Sequence, residues 1–158
     1  MTKISYWVSK SLECVVGTMF LVIVLTTIAQ VLFRFILNTS LVWANELAIL
    51  MMIWAVWLSA AIGIYRKAHI GMTFIRDCLP ILVRKSVSIL IDCCVLVFLV
   101  VLGIKGMDVV QSLEGMTLVS IPLPREVMAA PAPVGAALMA FFLIPILVKD
   151  FKDCFFRT

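Results

Sequence analysis

The sequence predicts an all-α integral membrane protein with four transmembrane helices plus a short amphipathic interfacial helix, in a single membrane domain. Three observations carry that prediction. Hydrophobic residues make up 64% of the 158-residue chain and charged residues only 14%, with a mean hydropathy of +1.18, whereas a soluble domain averages about half apolar and a quarter charged. The apolar residues gather into four windows, each long enough to cross a bilayer. The basic residues fall heavily on one side of those windows. A chain this apolar cannot hide its surface in one small core, so lipid must cover much of it.

The first window, Cys14–Phe33, contains no charge, and neither does the second, Leu47–Ile64. The third, Ser86–Ile104, is interrupted only by Asp92. The fourth, Val127–Val148, is uncharged but contains Pro131, Pro133 and Pro145. A helix rises 1.5 Å per residue, so about 20 residues cross a hydrocarbon core of roughly 30 Å. Strands are excluded, because backbone groups in lipid need internal partners and these runs show no alternation of apolar and polar residues. With their flanks, the expected spans are about 12–37, 47–65, 86–110 and 131–149. Pro131 and Pro133 fall at or before a helix start, where a missing N–H costs little. Pro145 predicts a kink.

Two connections carry patterns of their own. Apolar residues at Ile70, Met72, Phe74, Ile75, Leu79 and Leu82, interleaved with Arg76, Asp77 and Arg84, predict an interfacial helix over about 69–82, ended or kinked by Pro80. The connection Gly106–Glu126 contains Ser120-Ile121-Pro122-Leu123-Pro124, and proline at alternate positions favours an extended, ordered segment.

Ten of the thirteen Lys and Arg residues lie on the side shared by both termini; only Arg34, Lys105 and Arg125 lie on the other. The positive-inside rule then puts both termini in the cytoplasm of a multi-pass protein of the bacterial inner membrane. The net charge of +4 reads as topology and contact with anionic lipid headgroups, not as nucleic-acid binding. Lys3 and Lys10 ahead of an apolar run resemble a signal peptide. The run is too long for one, and no small-residue cleavage site follows, so the segment is expected to be retained. The five cysteines, with the adjacent Cys93 and Cys94 among them, lack metal spacing and read as small apolar fillers.

Ionisable groups within spans are the first candidates for function, since each costs roughly 2.5–3.5 kcal/mol at mid-bilayer. Asp92 lies six residues into span three, about 9 Å from its edge. It fits either an ion path or, more plainly, a carboxylate satisfied near the interface by a basic neighbour or a partner subunit. Arg34 and Glu46 have matching depth at the opposite face, so a bidentate pair between spans one and two is expected; the alternative is that each reaches lipid headgroups alone. Trp43 and Trp7 read as interface anchors. Trp54 and Trp57 lie deeper and are expected to pack against a partner helix. His69 is the only histidine, which excludes bis-histidine haem ligation within the chain. No phosphate loop, zinc motif or nucleophile elbow occurs. No span carries a polar stripe; Thr26 and Gln30 share a face of span one and read as helix–helix contacts. The expectation is therefore a protein that is not an enzyme and holds no cofactor.

The stretch Gln30-Val31-Leu32-Phe33-Arg34-Phe35, followed by Asn38, Trp43, Glu46, Trp54 and Arg66-Lys67-Ala68-His69-Ile70-Gly71, resembles the small membrane (DctQ-type) subunit of tripartite ATP-independent periplasmic (TRAP) transporters. Pro122, Pro124, Pro133-Val134-Gly135 and Leu138-Met139 fit the same pattern, so the resemblance covers nearly the whole chain. There are departures. The family often has Trp-Ser-Glu-Glu where this chain reads Trp43-Ala44-Asn45-Glu46, and Thr73 stands where an acid commonly follows the His-Ile pair. The resemblance implies a scaffold subunit without catalytic residues, packed beside a large membrane subunit that holds the substrate and sodium sites. A periplasmic binding protein would deliver an organic acid of the sialic acid or C4-dicarboxylate class. The residues themselves leave two other readings open: a dimeric four-helix exporter like the small multidrug-resistance proteins, with Glu13 as its acid, and a membrane anchor for a redox enzyme.

Overall fold

The computed structural model describes residues 3–38, 41–66 and 81–155. They form five helices: α1 Lys3–Ile36, α2 Val42–Tyr65, α3 Ile81–Ser112, the single-turn α4 Glu126–Ala129, and α5 Pro131–Phe155. The expected class stands. Four helices are long and apolar enough to cross a membrane, over Ser5–Ile36, Val42–Tyr65, Val87–Ser112 and Glu126–Lys152. Among the described residues the only β pairing is one isolated bridge, Thr117 with Pro124.

The helices outrun the hydropathy windows for a simple reason. A window stops at the first charge, whereas a helix stops where its backbone bonds can no longer continue. Thus α2 starts at Val42 and takes Asn45 and Glu46 into its opening turns. The first helix, 34 residues long, measures about 50 Å; part of it must stand outside the hydrocarbon, or the helix must tilt. It ends where Leu37 donates to Phe33 O at 3.0 Å and Asn38 adopts φ +50°, a left-handed conformation that asparagine tolerates. Pro131 opens α5, Pro133 follows in its first turn, and Pro145 lies inside it, leaving Phe141 O without its usual helical donor. Of the predicted interfacial helix, residues 69–80 lie outside the described residues, and Ile81 and Leu82 belong to the first turn of α3.

The helices form an open row rather than a closed ring. The first packs on α2, α2 on α5, and α5 on α3, so the spatial order is α1–α2–α5–α3. The core gathers around α5: Ala136, Met139, Phe142 and Leu143 pack with Ala61 and Ile64 of α2 and Leu99 of α3. The Tyr65 and Phe142 rings lie 5.3 Å apart between centroids. Small residues set the spacing. A β-carbon on Gly135 would stand 3.0 Å from Trp57 Cβ, and one on Gly106 would stand 3.0 Å from Pro133 Cδ. Lipid tails are as apolar as leucine, so such close packing, not water exclusion, holds membrane helices together. The outer helices remain bare: no residue in the apolar window of α1 is buried, and Phe20, Leu21, Val97 and Phe98 are all exposed.

Candidate functional site at the loop between α3 and α4

Among the described residues Glu46 is held by several hydrogen bonds at once. Its carboxylate, half-buried on the first turns of α2, accepts the backbone N–H groups of Val119 at 3.2 Å, Ser120 at 2.9 Å and Ile121 at 3.1 Å. Three successive N–H groups converging on one carboxylate make a small anion-binding nest. Each such bond to a charged acceptor is worth about 1.5–3 kcal/mol.

The loop folds so as to present those donors. Helix α3 unwinds through Leu113 N to Val110 O and Glu114 N to Gln111 O. Gly115 then turns the chain with φ +81°, a conformation that suits glycine. Leu118 N bonds Leu123 O at 3.0 Å and Arg125 N bonds Met116 O at 2.8 Å, which zips the loop into a narrow hairpin. Leu123 N reaches back to Ile121 O at 2.7 Å, closing a tight turn around Pro122. The tip N–H groups from 119 to 121 are left pointing at α2. The expected extended course of residues 120–124 is therefore not what forms. The two prolines bracket a reversal, because the loop bonds both to itself and to Glu46.

A second anchor lies two turns further along α2. Trp54 Nε1 donates to Val127 O at 3.0 Å, tying α4 to the same helix. Glu46, Leu50, Trp54, Trp57 and Ala61 are spaced as one helical stripe. Along this stripe Leu50 and Ala61 are buried, Trp57 meets Gly135, and the polar members hold the loop. One face of α2 thus positions the loop, α4 and α5 together.

The remaining sequence-selected residues are scattered. Arg34 is exposed at the last turn of α1, and no ion pair joins it to Glu46 among the described residues. The expected Arg34–Glu46 pair is corrected: the carboxylate reaches the backbone donors of the loop, whose amides no side-chain pattern reveals. Trp43 is 47% exposed beside the same membrane end. Asp92 is half-buried on α3, far along the chain from this loop. His69 lies outside the described residues. The Thr26 hydroxyl bonds Val22 O at 2.7 Å and Ile23 O at 3.0 Å in its own helix. Within this chain the Thr26 hydroxyl thus donates to its own helix, where in lipid the nearest carbonyl is its readiest acceptor.

At the opposite membrane end, Arg66 Nη2 meets Glu13 Oε1 at 2.7 Å, and Ser9 Oγ donates to the same oxygen at 3.4 Å. This link between α1 and α2 escaped the sequence reading. The signal was available: Glu13 near the start of span one and Arg66 just after span two must share a membrane end. Lys105 and Asp108 form an exposed pair within α3 at 3.0 Å. Among the described residues no group of three His, Cys, Asp or Glu side chains could hold a metal ion.

Residues 23–153 match the family model described as tripartite ATP-independent periplasmic transporters, DctQ component. The chain is 30% identical over 108 residues to the sialic acid TRAP transporter small permease protein SiaQ of Vibrio cholerae serotype O1, covering 68% of this chain and 62% of that protein. It is 32% identical over 78 residues to the C4-dicarboxylate TRAP transporter small permease protein DctQ of the same organism, covering 49% and 34%. It is 27% identical over 154 residues to the sialic acid TRAP transporter permease protein SiaT of Haemophilus influenzae, covering 92% of this chain but 24% of that protein. The chain thus spans less than two thirds of the length of each of these relatives.

Proposed function

Because the chain belongs to the DctQ component family of the tripartite ATP-independent periplasmic transporters, we propose that it is the small, non-catalytic membrane subunit of a sodium-coupled uptake system for a carboxylate-bearing solute. In this reading it stands beside a large membrane subunit that holds the solute and sodium sites, and it enlarges that subunit's static scaffold. The observation that carries the reading is the open row of helices. The apolar window of α1 buries no residue within the chain, and no apolar window of the sequence carries a stripe of polar residues. A helix row bare on its flanks is built to be packed against, since TM helices associate by shape and small-residue contact.

Two further observations support it. The SiaT relative, named as one permease protein, aligns with nearly all of this chain over only 24% of its length, so a similar stretch there is joined to three times as much further protein. The names of the relatives put sialic acid or a C4-dicarboxylate first among solutes. In this reading the positive-inside bias of the basic residues favours cytoplasmic termini, which would turn the Glu46-held loop toward the periplasm, where a solute-loaded binding protein would arrive.

The test is reconstitution. Proteoliposomes with the large subunit, the binding protein and an inward sodium gradient are expected to accumulate solute only when this chain is present. Undiminished uptake without it would overturn the reading.

A further inference from the structure

Helices α1 and α2 open a groove of about 460 Å³ between them. Its walls are Val16, Gly17 and Phe20 on α1 and Ser59 and Ile62 on α2, and the Glu13–Arg66 pair stands at one end. From Glu13 to Phe20 the groove runs about 10 Å along the helix axis, from a charged mouth to a mainly apolar floor in which Ser59 is the one polar side chain. That polarity gradient matches an amphiphile lying parallel to the helices. The floor is open space and not a packing defect: a β-carbon on Gly17 would meet nothing within 4 Å.

The mouth specifies the headgroup. Glu13 and Arg66 contact each other through one oxygen and one nitrogen at 2.7 Å, and their side chains keep 40% and 60% of their exposure. Both therefore have unused bonding capacity facing outward. The guanidinium fork has further N–H groups suited to a phosphate, and the carboxylate's second oxygen can accept from an ammonium. Arg66 and the nearby Lys10 attract the phosphate of any phospholipid alike, so the discriminating group is Glu13, which accepts from an ammonium and repels a further negative charge.

We propose that this groove binds a phospholipid with a zwitterionic, primary-ammonium headgroup, of the phosphatidylethanolamine type. Its phosphate lies on Arg66, its ammonium on Glu13, and one acyl chain along Gly17 and Phe20. The site belongs to this chain alone and does not depend on the transport reading.

The purified full chain, delipidated in mild detergent, is titrated with phosphatidylethanolamine or phosphatidylglycerol, and bound lipid is counted by native mass spectrometry. Phosphatidylethanolamine is expected to bind about tenfold more tightly, the value of one charge-assisted bond. Gly17→Leu fills the groove without touching protein and is expected to abolish that binding. Gly63→Leu, which fills a separate apolar groove between α2 and α3, is expected to leave it unchanged. Glu13→Gln is expected to erase the preference between the two lipids, and it decides the matter if Gly17→Leu does not fold. Equal affinity of the wild-type chain for both lipids, or full binding by Gly17→Leu, overturns the proposal. So does a preference that survives Glu13→Gln. Displacement of the lipid by an added large membrane subunit would mark the groove as a protein interface, and would overturn it equally.

Discussion

Trp57 and Gly135 mark a close approach between helices α2 and α5. A β-carbon on Gly135 would lie 3.0 Å from both Cβ and the indole Cε3 of Trp57, tight enough that the neighbour would have to give. The stripe that begins at Glu46 continues through this contact, so the distance between two helices and the placement of the loop are set by one helix face.

Enlarging Gly135 should therefore force α2 and α5 apart. Gly135→Leu is expected to destabilise the chain by about 1–3 kcal/mol, the usual cost of overpacking, and Gly135→Ala by less. Thermal unfolding in detergent measures both. The same substitution at Gly17 or Gly63, where a β-carbon meets nothing, should leave the midpoint in place. Equal losses at all three sites would mean that general leucine effects, not the Trp57 contact, are being read.

Removing the Glu46 charge should free the hairpin tip. Glu46→Ala is expected to raise amide exchange at Val119, Ser120 and Ile121 by roughly 10–100-fold, the equivalent of one or two charged hydrogen bonds, with Glu46→Gln intermediate. Exchange within α2 and α5 should change little. Arg34→Ala should leave the loop as protected as before, because no ion pair links Arg34 to Glu46; a loop loosened by that variant would restore the pairing suggested by depth alone.

Trp54→Phe keeps an aromatic ring, though a smaller one, and deletes the N–H that reaches Val127 O at 3.0 Å. The expected loss is about 0.5–1.5 kcal/mol. Glu46 and Trp54 hold adjoining segments from one helix face, so the double variant Glu46→Ala/Trp54→Phe should lose more than the sum of the singles. A double-mutant cycle reads that coupling directly. Strict additivity would show that the loop and α4 are held independently.

Glu13→Gln distinguishes the scaffold from the exporter. An exposed ion pair is worth about 0–1 kcal/mol, so uptake by the complete transporter should survive this variant within about fivefold. Proton-coupled export by the chain alone, abolished in Glu13→Gln, would instead support the small-exporter reading. The pairing of Glu13 with Arg66 gives no support to a free carboxylate waiting for substrate.

The four membrane-crossing helices could be read from the sequence because transfer into lipid is a local property. Each residue of Leu47–Ile64 or Val127–Val148 contributes its own hydropathy, whatever stands beside it. The family could be read too, since the order of Arg34, Trp43, Glu46 and the Arg66–Gly71 stretch survives without knowledge of how those residues pack. Only the tertiary structure decided the order α1–α2–α5–α3, the grip of Glu46 on the loop and the Glu13–Arg66 bridge. A lipid tail and a neighbouring helix are chemically alike to an apolar side chain, so hydropathy carries no sign of which face meets protein. What selects that face is shape, as at Trp57 and Gly135, or backbone donors, as at Ser120, and neither is written in residue type.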